Sequence, residues 1–174
     1  MKLVNCKYDN HAQPILDIVN EAIVNSTSVY DYKPRAPESM RSWFDAKSAG
    51  HFPVIGIEDA SGTLLGFASY GTFRAWPAYK YSVEHSLYVH RDYRGQGLGR
   101  RLLEALIAHA NQADVHVMIG GIDMSNAASI ALHEKLGFVH AGTINEAAFK
   151  FGRWLNLGFY QLTLSSPAHP VDDM

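Results

Sequence analysis

The chain has 174 residues, 47% of them hydrophobic and 18% charged, enough for one domain with its own core. A formal net charge of −2 offers no basic footprint for nucleic acid, and no apolar run approaches the roughly 20 residues that span a bilayer. One cysteine, Cys6, excludes an internal disulfide, the nine histidines are scattered without metal-ligand spacing, and no leader-like segment opens the chain, so a cytoplasmic protein without a metal is expected.

The stretch KLVNCKY reads as a short first strand, and HAQPILDIVNEAIVN as a helix beginning near Pro14, with Ile15, Ile18, Val19 and Ala22 as its apolar stripe. PESMRSWFDAKSAG reads as a second helix, with Pro37 near its start and Gly50 just past its end. FPVIGIED and TLLGFASYGTF, joined by DASG, form an antiparallel hairpin. After a loop containing Trp76 and Pro77, YSVEHSLYV alternates as a strand should, and from Leu98 onward Leu102, Leu103, Leu106 and Ile107 recur at helical spacing. VHVMIGGI is the next strand, NAASIALHEKLGF a helix closed by Gly137, and FVHAGTI and LGFYQLTL the last two strands. The expected fold class is therefore α/β with a mixed central sheet flanked by helices. One domain over 1–164 is followed by a polar tail over 165–174.

The junction between the Tyr81–Val89 strand and the long helix holds Arg94, Gly95, Gln96, Gly97, Leu98, Gly99 and Arg100. Glycines let backbone N–H groups approach an anion at the positive end of a helix, so strand, loop and helix together read as a phosphate site. The dinucleotide fingerprint fails because Arg100 stands where its third glycine belongs. The nucleotide P-loop fails because Arg100 and Arg101 follow the last glycine in place of lysine and a hydroxyl residue.

What remains, R-x-x-G-x-G, resembles the pyrophosphate signature of the GCN5-related N-acetyltransferases (the GNAT superfamily), and the likeness runs along the whole chain. SVEHSLYV, NAASIALHEKLGF and KFGRWL, in that order, resemble the branch that acetylates phosphinothricin, methionine sulfoximine and methionine sulfone. The resemblance implies the acyl-CoA N-acyltransferase fold. It also implies acetyl-CoA as co-substrate, no metal, direct transfer in a ternary complex, and a small amino acid or analogue acetylated on its α-amine. It further implies a homodimer, with KFGRW beside the acceptor site across the interface.

An α-ammonium must lose a proton before it attacks, and Glu84 is the expected base. Period-two alternation places it with Ser86 and Tyr88 on one strand face, and Val83, His85, Leu87 and Val89 on the other. In the resembled fold the main chain of Leu87, Tyr88 and Val89 holds the pantetheine arm and an N–H near Leu87 polarises the thioester, while the Asn126 amide, at the start of the later helix, caps its first turn or reaches the pantetheine. Relatives carry a tyrosine proton donor near His133, so His133 takes that role or contacts coenzyme A. For the acceptor, Arg74 suits a carboxylate, Phe73, Trp76 and Tyr79 suit a side-chain wall, Lys80 adds a second charge, and the VYDY segment from Val29 can contribute. A peptide or protein amine as acceptor, and a coenzyme A sensor without chemistry, remain open alternatives.

Overall fold

The computed structural model describes residues 1–172, so Asp173 and Met174, the end of the expected tail, lie outside the described residues. The elements are β1 (Lys2–Asn5), α1 (Tyr8–Asn25), α2 (Ser39–Ala49), β2 (Val54–Glu58), β3 (Leu64–Thr72), β4 (Ser82–Val89), α3 (Leu98–Gln112), β5 (Val117–Asp123), α4 (Ala127–Lys135), β6 (Val139–Lys150) and β7 (Arg153–Thr163). Single 3-10 turns at Pro77–Tyr79 and Arg91–Tyr93 flank β4. The order of types along the chain is the expected one. Strands neighbour each other in the order β1-β2-β3-β4-β5-β7-β6, which makes the sheet mixed, because β4 and β5 run parallel while β1–β2, β2–β3, β5–β7 and β6–β7 run antiparallel.

Contacts divide the described residues into two compact units, Met1–Ser69 with Ser86–Leu106, and Tyr70–His85 with the chain from Ile107 onward. In the first, α1 and α2 pack an apolar cluster of Ile15, Leu16, Val19, Ile23, Met40 and Phe67. Leu98, Leu102, Leu103 and Leu106 of α3 are each at most 2% exposed, which is the stripe that the three-and-four spacing predicts. Gly66 of β3 lies so close to β4 that a Cβ there would sit 2.8 Å from the Tyr88 carbonyl oxygen. In the second unit, β5 lies between the start of β4 and β7, and Met118, Phe138, Leu155 and Tyr160 are buried.

Two expectations need correction. The first helix starts at Tyr8, well before Pro14, which lies inside it. The extra turn is held by His11, whose Nδ1 accepts the Lys7 N–H at 2.9 Å and whose Nε2 meets Glu58 at 3.0 Å. Pro14 removes one backbone donor and the helix tolerates the loss. The strand expected over FVHAGTI instead runs on to Lys150, and β7 begins at Arg153, so KFGRW is the turn of a long hairpin. Phe151 and Gly152 have φ of 52° and 73°, the left-handed pair a two-residue hairpin turn requires. The segment NEAAFK has little strand propensity of its own. It is extended because β7 pairs with it, across an irregularity between Ile144 and Ala148 where the Glu146 N–H donates to Asn156 Oδ1 at 2.9 Å.

Candidate active site

The glycine loop is built as its sequence suggests. Gly95 and Gly97 have φ of 77° and 76°, and no atom lies within 4 Å of where a Cβ would stand on either. Backbone conformation, not crowding, therefore requires glycine at both positions. Gly99 differs, because it lies within the first turn of α3. The first N–H groups of α3 have no carbonyl one turn earlier in the helix to bond, so they point out of its positive end. Gly95, Gln96 and Gly97 are exposed, and Leu98 anchors the helix start in the core at 2% exposure.

Both flanking arginines have carboxylate partners. Arg94 Nη2 meets Glu21 Oε2 of α1 at 2.6 Å, and its Nε donates to the Val89 carbonyl at 3.2 Å. Arg100 Nε donates to Glu104 at 2.8 Å. An anion at the loop would compete with these carboxylates for the guanidinium groups. Glu21 was not foreseen, because a carboxylate on a distant helix gives no local signal.

Strand β4 alternates as read. Val83 and His85 are buried and Glu84 is exposed. Among the described residues the parallel register with β5 covers Ser82, Val83 and Glu84, and stops short of Leu87 and Val89. The Glu84 carboxylate lies over the bare backbone of Gly121, with Oε1 3.2 Å from where a Cβ would be. Partial desolvation raises its pKa above the ordinary carboxylate value, and the nearby Arg74 guanidinium pulls it partly back. A carboxylate so raised is a stronger base than one free in water.

The loop between β3 and β4 gathers its aromatics on themselves. Phe73 and Tyr79 meet edge to face at 5.9 Å, Trp76 is 6.4 Å from Tyr79, and Phe73 also meets Phe159 at 6.5 Å. Arg74 lies 5.2 Å over the Phe73 ring and Lys80 5.2 Å over Tyr81. Val29 of VYDY is buried at 7% exposure.

A cavity of about 520 Å³ lies elsewhere, in the first unit, between α1, α2 and the Ser86–Tyr88 face of β4. Leu16, Val19 and Trp43 make much of its wall, and Arg35 and Ser86 bring polar groups to it. Arg35 is held by Asp31 at 2.8 Å. Alternation along β4 aims Ser86 and Tyr88 at this cavity, whereas the approach of Arg35 and Trp43 depends on how the two helices pack.

In α4, Asn126 caps the helix, its Oδ1 accepting the Ser129 N–H at 3.1 Å. His133 is 4% exposed, and both of its ring nitrogens are engaged. Nδ1 donates to the Ser129 carbonyl at 2.7 Å, and Nε2 lies 2.9 Å from Nε2 of His85. No group of three potential metal ligands occurs among the described residues.

Fold and loop together define an α/β protein in which a glycine loop opens directly onto a helix start. A family model described as the Acetyltransferase (GNAT) family matches residues 19–138, and the chain belongs to that family. The chain is 45% identical over 150 residues, 86% of its length and 87% of the relative's, to an L-methionine sulfoximine/L-methionine sulfone acetyltransferase of Pseudomonas paraeruginosa. It is 34% identical to a phosphinothricin N-acetyltransferase of Streptomyces coelicolor, covering 87% of this chain and 90% of the other. A Salmonella typhimurium protein solved with its cofactor acetyl-CoA superposes with a TM-score of 0.93 at 36% identity, covering 98% of each chain.

Proposed function

We propose that this chain transfers the acetyl group of acetyl-CoA to the α-amine of a small amino-acid analogue of the methionine sulfoximine, methionine sulfone or phosphinothricin type, in one step with both reactants bound. The observation that carries the reading is the loop between β4 and α3, where Gly95 and Gly97 are left-handed, open above their backbones and followed directly by a helix start. That cradle fits a diphosphate, and the relatives named above supply the substrate class.

Acetyl-CoA supplies an activated acyl thioester when bound. The N–H groups from Gly95 to Gly99, with Arg94 and Arg100, would hold its diphosphate, and the main chain of Leu87, Tyr88 and Val89, with Asn126, its pantetheine arm. Glu84 takes the proton that the α-amine must lose, directly or through one water, and its raised pKa suits that task. His133 is assigned the proton-donor role. Arg74, Phe73, Tyr79 and Lys80 are assigned to the acceptor.

The test is thiol release from acetyl-CoA with phosphinothricin, methionine sulfoximine, methionine sulfone, plain amino acids and a lysine-bearing peptide. Turnover confined to the small analogues supports the reading, turnover on the peptide alone replaces it, and binding of coenzyme A without turnover on any acceptor makes the chain a sensor. Gly97→Ala probes the cradle. An L-residue in the left-handed region costs about 1–2 kcal/mol, so coenzyme A should bind roughly 5- to 30-fold more weakly by calorimetry while the fold persists.

The reading includes a homodimer in the cytoplasm, where Cys6 stays reduced. Strand β6 ends the sheet order, and Val139, Ile144, Phe149, Phe151 and Trp154 on β6, its turn and the start of β7 are each 44–60% exposed. An apolar edge of this kind is expected to be covered by a second copy. Sedimentation equilibrium should give twice the chain mass, and Trp154→Glu should move it toward the monomer.

A further inference from the structure

The buried contact between β4 and α4 has more hydrogen-bonding gaps than two neutral rings can fill. His85 Nδ1 lies 2.9 Å from the Ile119 carbonyl, His133 Nδ1 lies 2.7 Å from the Ser129 carbonyl, and the two Nε2 atoms lie 2.9 Å apart. A carbonyl oxygen only accepts, so each Nδ1 must carry hydrogen. Two neutral imidazoles then present two Nε2 lone pairs to each other at hydrogen-bonding distance. Moving a proton from either Nδ1 to Nε2 repairs that contact, but turns a lone pair toward a carbonyl oxygen. One additional proton satisfies all three contacts.

We infer that His85 and His133 share a single proton between their Nε2 atoms, so that the pair carries one positive charge at neutral pH and His85 is a positioning residue for His133. The place is built for both rings. A Cβ on Gly120 would stand 2.8 Å from His85 Cε1 and 3.4 Å from His133 Nε2, so only glycine leaves room. Phe138 closes the side, its ring 5.5 Å from His85 and 5.0 Å from His133.

Burial opposes the charge, pushing His85 down toward about 3 and lowering His133 as well. Three aligned hydrogen bonds and the negative end of a helix favour it, since His133 lies in the last turn of α4. The hydrogen-bond directions decide, because a neutral pair leaves one buried contact repulsive. A second proton is excluded, since two Nε2–H groups cannot face each other at this distance. On β4 the neighbouring carboxylate, Glu84, stands on the opposite face of the strand, over Gly121 rather than the pair's Gly120. From α4 come Glu134 and Lys135, both exposed. From β5 come the Ile119 carbonyl and Gly120, and from the turn before β6 Phe138. The pair therefore titrates as one site and loses its single charge in one step as pH rises.

The proton-donor role of His133 rests on the proposed acetyl transfer, whereas the shared proton does not. Long-range proton–nitrogen correlation of the imidazoles in the full, ligand-free chain reads it directly. At neutral pH both Nδ1 atoms should show protonated shifts, with one slowly exchanging proton between the Nε2 atoms and a single one-proton step on titration. An unprotonated Nδ1 on either ring at neutral pH overturns the inference, whatever the enzyme acetylates. His85→Phe fills the ring volume without a nitrogen and should move the His133 titration by about one pH unit or more. It should also lower kcat about tenfold at unchanged acceptor KM, with partial recovery in His85→Gln. An unmoved titration in His85→Phe, in a variant that folds, removes the positioning role.

Discussion

Glu84→Gln should lower kcat for acetyl transfer by about 10²–10⁴-fold, with the affinity for coenzyme A and the melting temperature nearly unchanged. Glutamine keeps the shape of the side chain over Gly121 but cannot accept a proton from the amine. The wild-type pH profile carries the same information. Partial desolvation raises the Glu84 pKa, and the base works only when ionised, so activity should rise with pH through a midpoint above the ordinary carboxylate value. Arg74 opposes that shift, so Arg74→Ala should move the midpoint higher still. Steady-state kinetics with the best small acceptor checks all three outcomes. A glutamine variant with kcat within a factor of two of wild type would end the assignment of the base.

Leu102→Ala should cost about 2–5 kcal/mol of folding stability, the range for truncating a fully buried leucine. For a chain of this size each kcal/mol lowers the melting temperature by about 2–4 °C. Leu102 is 0% exposed, and its Cδ1 lies 3.2 Å from where a Cβ on Gly66 would be, so it locks α3 against β3. The same helix presents the glycine loop at its start, so loosening it should also weaken coenzyme A binding. Denaturant titration measures the first effect and calorimetry the second. A loss below about 0.5 kcal/mol, typical of surface changes, would mean that this face of α3 is not part of the core.

Much of this protein is legible locally. The stripe of Leu98, Leu102, Leu103 and Leu106 has one interpretation because a helix repeats every 3.6 residues. Alternation along Ser82–Val89 likewise separates Glu84 from Val83 and His85 with no knowledge of neighbours. The need for glycine at Gly95 and Gly97 follows from backbone sterics at those positions. The start of α1 was not legible, because Pro14 is a familiar first-turn residue and the cap that extends the helix depends on His11 and distant Glu58. The length of β6 was not legible either, because NEAAFK becomes a strand only when β7 lies beside it.

The sequence by itself determined the element order, the glycine loop before α3, the face on which Glu84 stands and the family, since each rests on contacts within a few residues or on a motif of fixed spacing. Tertiary structure alone decided the rest. It placed Arg35 and Trp43 at the cavity beside Ser86, turned Arg94 onto Glu21, and set His85 against His133 across 48 positions of chain. The reason is physical. Local propensity reads the torsions of the backbone, whereas pairing of charges and protons depends on side chains that only packing brings within hydrogen-bonding distance.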